Sequence, residues 1–213
     1  MNEKFSIIIP TMWVPKMFVE AIKEYLKSSL VGEIIIIDNN PKSRPNLPND
    51  NRIKILTKGY NIFVNPAWNW GVKETKNENV LIINDDLYVK NISDILKVLL
   101  ETKFDFVGLD YKNLNLGYGI IVKEKKEDMT NGFGCFLFIK KSKYITIPKD
   151  IKIWYGDRIL FNSIPNKGEI SFDGVQIELS KTINSSNHFI DTINEDRKNF
   201  KKWISTVHQK NLF

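Results

Sequence analysis

Cysteine and histidine are scarce in this 213-residue chain, which holds one Cys (Cys135) and two His (His188 and His208). A lone cysteine excludes an internal disulfide and suits a reducing compartment, so a cytoplasmic location is expected. Long apolar runs are missing as well. Met1–Lys4 is polar, Ile7–Ile9 is too short for the apolar core of a secretory leader, and no stretch reaches membrane-spanning length. No transmembrane segment is therefore expected, and any membrane contact would be peripheral. Internal repeats and low-complexity linkers are also absent. A hydrophobic fraction of 42% and a charged fraction of 26% fit a soluble globular chain, here expected to form one domain over 1–213. The net charge of +6 favours anionic partners, but nucleotide-sugar phosphates, nucleic acid and lipid headgroups all satisfy it.

What the chain does have is the run Val80–Val89, V-L-I-I-N-D-D-L-Y-V, where aliphatic residues end abruptly on Asn84, Asp85 and Asp86. A short apolar run bounded by polar residues reads as a buried strand of a parallel sheet. Ligands of open α/β sheets sit at the carboxyl ends of such strands. Two adjacent carboxylates repel each other in a half-dry cleft, and with an amide they form a hard, all-oxygen set suited to Mg²⁺ or Mn²⁺ bridged to a phosphate. The competing reading is a solvated turn in which Asp85 and Asp86 cap a following helix.

The rest of the chain supplies a context. Phe5–Pro10 reads as a first buried strand, Pro15–Leu30 as a helix ended by Gly32, and Glu33–Ile37 as a second strand closing on Asp38. After a proline-rich loop over Pro41–Asn51, Arg52–Leu56 is a third strand. Asn65-Pro66 looks like a helix start with Asn65 as N-cap, and the helix runs to about Lys76. Ser93–Thr102 is another helix and Phe104–Leu109 another strand. This alternation predicts a doubly wound α/β sheet. Beyond Asp110 the pattern changes. Tyr118–Val122 and Phe133–Ile139 read as strands, Lys123–Asp128 as a charged turn, Asp157–Ile164 as a helix, and Glu169–Leu179 as a hairpin through Asp173-Gly174. Thr192–Glu195 is a capping box for a last helix.

Three polar strand ends would gather over one cleft: Pro10-Thr11, Asp38, and Asn84-Asp85-Asp86. Pro10 and Thr11 either shape a base pocket or end a strand. Asp38 either accepts the N3–H of a pyrimidine or caps its own loop through Asn39 and Asn40.

Together, S-I-I-I-P-T (6–11), I-I-I-I-D-N-N (34–40), N-x-x-x-N-P-A-W-N-W-G (61–71) and L-I-I-N-D-D (81–86) resemble the family 2 glycosyltransferases of GT-A fold. That resemblance implies a single Rossmann-like α/β domain with a mostly parallel sheet and a small antiparallel part in its second half. Residues 1–110 would be the nucleotide-sugar half, 111–190 the acceptor half and 191–213 a terminal helix. It implies that Pro10, Thr11 and Asp38 hold the nucleotide, that Asn69 with Gly71 lies beside the donor, and that Asn84-Asp85-Asp86 is the D-x-D-type element. Asp86 then matches the metal-binding carboxylate for Mn²⁺ or Mg²⁺, with Asn84 in place of the first Asp. Asp157, opening a helix after Trp154-Tyr155-Gly156, matches the general base, with Gly156 where a Glu often stands. His188 matches a histidine that reaches back to the metal.

The chemistry so implied is inverting transfer of a sugar, of hexosyl type, from a nucleotide-sugar donor (a UDP-sugar) to a hydroxyl of a glycan or other acceptor. Trp154 and Tyr155 would stack on an acceptor sugar. A sugar-phosphate nucleotidyltransferase would need a glycine-rich loop after the first strand, whereas Pro10–Lys16 has no glycine. A nucleic-acid partner is not expected, because no basic stripe interleaved with aromatics is evident outside the last helix. The remaining alternative is a non-catalytic nucleotide-sugar or glycan-binding module derived from such an enzyme.

Overall fold

The structure, a computed structural model, describes residues 3–126, 128–178 and 189–210, without the side chains of 207–210. The aliphatic runs form its centre. Strands β1 (Phe5–Thr11), β2 (Val31–Asp38), β3 (Ile53–Thr57) and β4 (Asn79–Ile83) are parallel neighbours in the order β3-β2-β1-β4. Alternate residues face opposite sides of a strand, and here both sides are covered. Ile7, Ile9, Ile34, Ile36 and Leu81 pack beneath helices α1 (Phe18–Leu26) and α3 (Ile92–Glu101). Ile8, Ile35, Ile37, Val80 and Ile82 pack beneath α2 (Val64–Glu74) and α4 (Gly156–Ser163). Burial on both sides is why these strands read as unbroken aliphatic runs instead of alternating ones.

The sheet then turns mixed. β8 (Phe136–Lys140) pairs antiparallel with both β4 and β6 (Phe106–Leu109). β9 (Lys167–Ser171) runs parallel to β6, and β7 (Ile121–Glu124) closes the edge antiparallel to β9. The result is an α/β sandwich around one eight-stranded sheet, with a small antiparallel sheet of β5 (Leu87–Val89) and β10 (Val175–Ile177) beside it.

Several expectations shift. The 169–179 segment is not a hairpin: β9 stays in the large sheet, while β10 leaves to pair with β5. Asp85 and Asp86 do not open a helix, because β5 follows them at once. Helix α1 stops at Leu26, six residues before Gly32, which lies inside β2. Asn65 is not an N-cap: α2 begins one residue earlier, and Asn65 is buried with its side chain on a distant loop. Thr192 lies inside α5 (Ile190–Lys210) and does not cap it. The charged stretch from Lys123 is only partly a solvated tip. Lys123 bridges Asp110 and Glu169 at 2.9 and 3.1 Å, and Lys125 meets Glu169 at 2.8 Å. Among the described residues, no helix is long and apolar enough to cross a membrane.

Candidate active site

Strand order reverses between β1 and β4, since the chain passes from β1 to β2 on one side and returns to β4 on the other. Such a switch point opens a crevice at the carboxyl ends of the strands. A cavity of about 560 Å³ lies there. Pro10 and Thr11, at the end of β1, form part of its wall, as do Asn84, Asp85 and Asp86 after β4. The Thr11 hydroxyl donates to Asp85 at 2.7 Å and itself accepts the Trp13 N–H at 2.8 Å.

The two carboxylates differ in their surroundings. Burial pushes Asp85 up to about 6, against the stabilising Thr11 hydroxyl, and the neighbouring Asp86 charge adds to the rise. Asp86 is only 6% exposed, and burial raises its pKa against the pull of its own backbone N–H, with the charge of Glu178 adding a smaller rise. Among the described residues, no other residue donates a hydrogen bond to the Asp86 side chain, and neither carboxylate is in an ion pair. A buried anion without a counter-charge is costly. The arrangement therefore fits a divalent cation, for which Asn84, Asp85 and Asp86 offer hard oxygen donors. Among the described residues, no three acidic, histidine or cysteine side chains form a complete cage.

The facing wall comes from the second half of the chain. Trp154, Tyr155 and Asp157 line the same cavity, as do Gly132, Gly134 and Cys135. A Cβ on Gly134 would lie 2.7 Å from Oδ2 of Asp157, so glycine there gives the carboxylate its room. Burial raises the Asp157 pKa, while the Arg158 N–H, donating to Oδ1 at 2.8 Å, and the Arg158 charge oppose that rise. The Cys135 thiol is pushed up to about 12, by burial first and then by the charges of Asp86 and Asp157.

Backbone strain collects at the same place. Phe63 and Tyr155 line the cavity with φ of 68° each, and Trp13, between the lining residues Met12 and Val14, has φ 65°. Bulky side chains in the left-handed region cost on the order of 1–2 kcal/mol each, and such residues persist chiefly at binding sites.

The model of the glycosyl transferase family 2 matches residues 6–152. The chain belongs to that family. Among solved structures, S. aureus TarS 1-349 superposes with a TM-score of 0.54 at 14% identity, covering 80% of this chain and 60% of that one. TarS 1-349 in complex with UDP gives 0.53 at 14% identity, with coverages of 80% and 60%. TarS 1-349 in complex with UDP-GlcNAc gives 0.52 at 14% identity, with 84% and 61%. This chain thus spans about three fifths of those structures' length. At that identity the likeness concerns the fold, which is GT-A. No curated protein matches this sequence.

The family signature is distributed unevenly over the site. Pro10, Thr11, Asn84, Asp85, Asp86, Trp154, Tyr155 and Asp157 share the cavity. Asp38 does not line it. Its Oδ1 accepts from Trp13 Nε1 at 2.6 Å and from the Asn40 N–H at 3.0 Å, and its Oδ2 accepts from Arg44 Nε at 2.7 Å. Asn69 also lies apart. Its Oδ1 takes the Tyr144 hydroxyl (2.8 Å) and the Ile147 N–H (3.0 Å), and its Nδ2 donates to the Ile147 carbonyl (2.8 Å), so it fastens α2 to that loop. His188 lies outside the described residues. Sequence reasoning overlooked Asn39 and Asn61, which line the cavity. It also overlooked Asn65, which holds the 151–154 loop. The Asn-rich character of 39–69 was the available signal, but amides carry no periodicity that separates a loop clasp from a ligand contact.

Proposed function

We propose that this chain carries out metal-dependent, inverting transfer of a sugar from a nucleotide sugar, with UDP as the nucleotide. One observation carries the reading: a single cavity at the switch point joins the end of β1, the Asn84–Asp86 turn and the loop leading to Asp157. Family membership supplies the reaction class, and the UDP and UDP-GlcNAc complexes of TarS make those the first ligands to test.

A divalent ion held by Asp86, with Asn84, Asp85 and His188 as further candidates, would supply Lewis-acid stabilisation of the negative charge on the leaving diphosphate. The chain's own groups account for the rest. Thr11 holds Asp85 in place beside Asp86. Asp157 accepts the proton of the attacking acceptor hydroxyl, and its burial makes it a stronger base than an exposed carboxylate. Trp154 and Tyr155 border the space an acceptor sugar would enter, with one face of the Tyr155 ring covered by Phe200. A single base on the side facing away from the diphosphate corresponds to in-line attack and inversion.

Titration calorimetry of UDP, with and without Mn²⁺, on the natural protein and on Asp86→Ala tests the donor site. UDP release from UDP-GlcNAc and other UDP-sugars, with Asp157→Asn as control, tests catalysis. UDP binding indifferent to both metal and Asp86 would sink the metal assignment. Binding without turnover of any donor would favour the non-catalytic module.

A further inference from the structure

The segment from Ile151 to Trp154 is held from two sides. The N–H groups of Lys152, Ile153 and Trp154 all donate to one carboxylate, that of Asp196 on α5, at 2.7, 2.8 and 2.9 Å. On the other side, Asn65 Nδ2 donates to the Ile151 and Trp154 carbonyls at 3.1 Å each, and the Asn65 N–H donates to the Lys152 carbonyl at 2.9 Å. Asp196 is completely buried. A buried carboxylate persists only when its lone pairs are satisfied, and a run of backbone N–H groups is a built anion nest.

Other groups of α5 reinforce the junction. Glu195 pairs with Lys152 at 2.8 Å, and Asn199 Nδ2 donates to the Asp150 carbonyl at 2.7 Å. Phe200 stacks on Tyr155 with ring centroids 4.8 Å apart. The clasped segment runs directly into Tyr155 and then into the first turn of α4, which carries Asp157. Family 2 similarity ends at residue 152, so α5 lies wholly beyond it.

We propose that Asp196 is a positioning residue: it fixes the backbone of residues 152–154 and through it the placement of Trp154, Tyr155 and Asp157 on the acceptor wall. The inference rests on the glycosyl-transfer reading above. None of the three bonds to Asp196 reaches the wall built from the ends of β1 and β4. Asp196→Asn keeps the size of the side chain but turns one acceptor oxygen into an N–H₂ group facing backbone donors, so at least one of the three bonds is lost. A misplacement of about 1 Å at a reacting group costs on the order of 10²-fold in rate.

The test uses the full chain, natural and Asp196→Asn, well below both melting temperatures. Amide hydrogen exchange read by mass spectrometry should speed up at least about tenfold over 150–156 and stay unchanged over β1 and β4. UDP affinity with Mn²⁺ should stay within about twofold. UDP release from the UDP-sugar that the natural protein turns over should fall at least about tenfold in kcat with donor KM unchanged. Asp157→Asn combined with Asp196→Asn should be no slower than Asp157→Asn alone. Unchanged exchange over 150–156 overturns the clasp, and faster exchange with unchanged kcat overturns the positioning role. A natural protein that fails to bind UDP or to turn over any donor overturns the functional reading itself and the catalytic role of Asp196 with it.

Discussion

Thr11 and Asp85 meet across the switch point of the sheet, the hydroxyl of one donating to the carboxylate of the other at 2.7 Å although 74 positions separate them. The bond ties the end of β1 to the turn after β4. Thr11→Val preserves shape and removes both this donor and the acceptor used by the Trp13 N–H. Leaving such buried groups unpaired costs about 1–3 kcal/mol. Urea denaturation should show that loss as a lower midpoint with an unchanged slope. A change under about 0.5 kcal/mol would mean the turn is held by something else.

Asp86 should separate stability from binding. Its carboxyl titrates above 3.8 in the folded protein because burial disfavours the charge. The folded state therefore holds its proton more tightly than the unfolded one, and this group lowers stability as pH rises from about 3.8 through its folded value. Asp86→Asn removes that penalty. In metal-free buffer at pH 7 its melting temperature should equal or exceed that of the natural protein, the difference vanishing toward pH 3. Mn²⁺-dependent UDP affinity should fall at least about tenfold, since an amide is a weaker ligand. A melting temperature well below the natural value would reveal a structural partner for the charge.

Gly156 and Asn65 are sterically coupled. A Cβ at position 156 would collide with Oδ1 of Asn65 and lie 3.0 Å from Cδ1 of Ile147. Gly156→Ala should cost about 1–3 kcal/mol through overpacking. In an Asn65→Ala background that cost should shrink by more than about 1 kcal/mol in a double-mutant cycle. Additive effects would show that the collision relaxes elsewhere. The coupling also gives a local reason for glycine at position 156.

Cys135 should be a slow thiol despite facing the cavity. With its pKa pushed up to about 12, against an ordinary 9.0, the thiolate fraction at pH 8 falls about 1000-fold. Iodoacetamide labelling followed by mass spectrometry should proceed correspondingly slowly and gain about tenfold per pH unit from pH 8 to 10. Labelling at the rate of a free cysteine would mean that the Cys135 thiol is better hydrated than the packing implies.

The first half of the fold was legible because parallel strands covered on both sides must be aliphatic throughout, and their polar ends then stand out as Thr11, Asp38 and Asn84–Asp86. Pairing in the second half was not legible. The turn at Asp173-Gly174 is real, with Gly174 at φ 81°, but local turn chemistry does not say which strand each arm will join. Asp38 and Asn69 illustrate a related gap. Position after a strand or on a helix marks a residue as near the crevice, yet its bonds to Trp13, Arg44 or Tyr144 depend on loops remote in sequence. Asp196 lay in a helix whose charged face resembled any solvated one, and only the folded arrangement reveals the three amides it accepts.

The double clasp on residues 151–154 has a consequence for how this wall can change. Besides the side-chain contacts of Ile151 and Lys152, Asn65 and Asp196 anchor their main chain through its own N–H and C=O groups, which do not depend on which side chain stands at 153 or 154. Substitutions at Ile153 or Trp154 can therefore alter what the wall recognises without redrawing its path, as hypervariable loops do on an immunoglobulin scaffold. Libraries randomised at those two positions, with Asn65, Gly156 and Asp196 left untouched, are the natural place to look for altered acceptor preference.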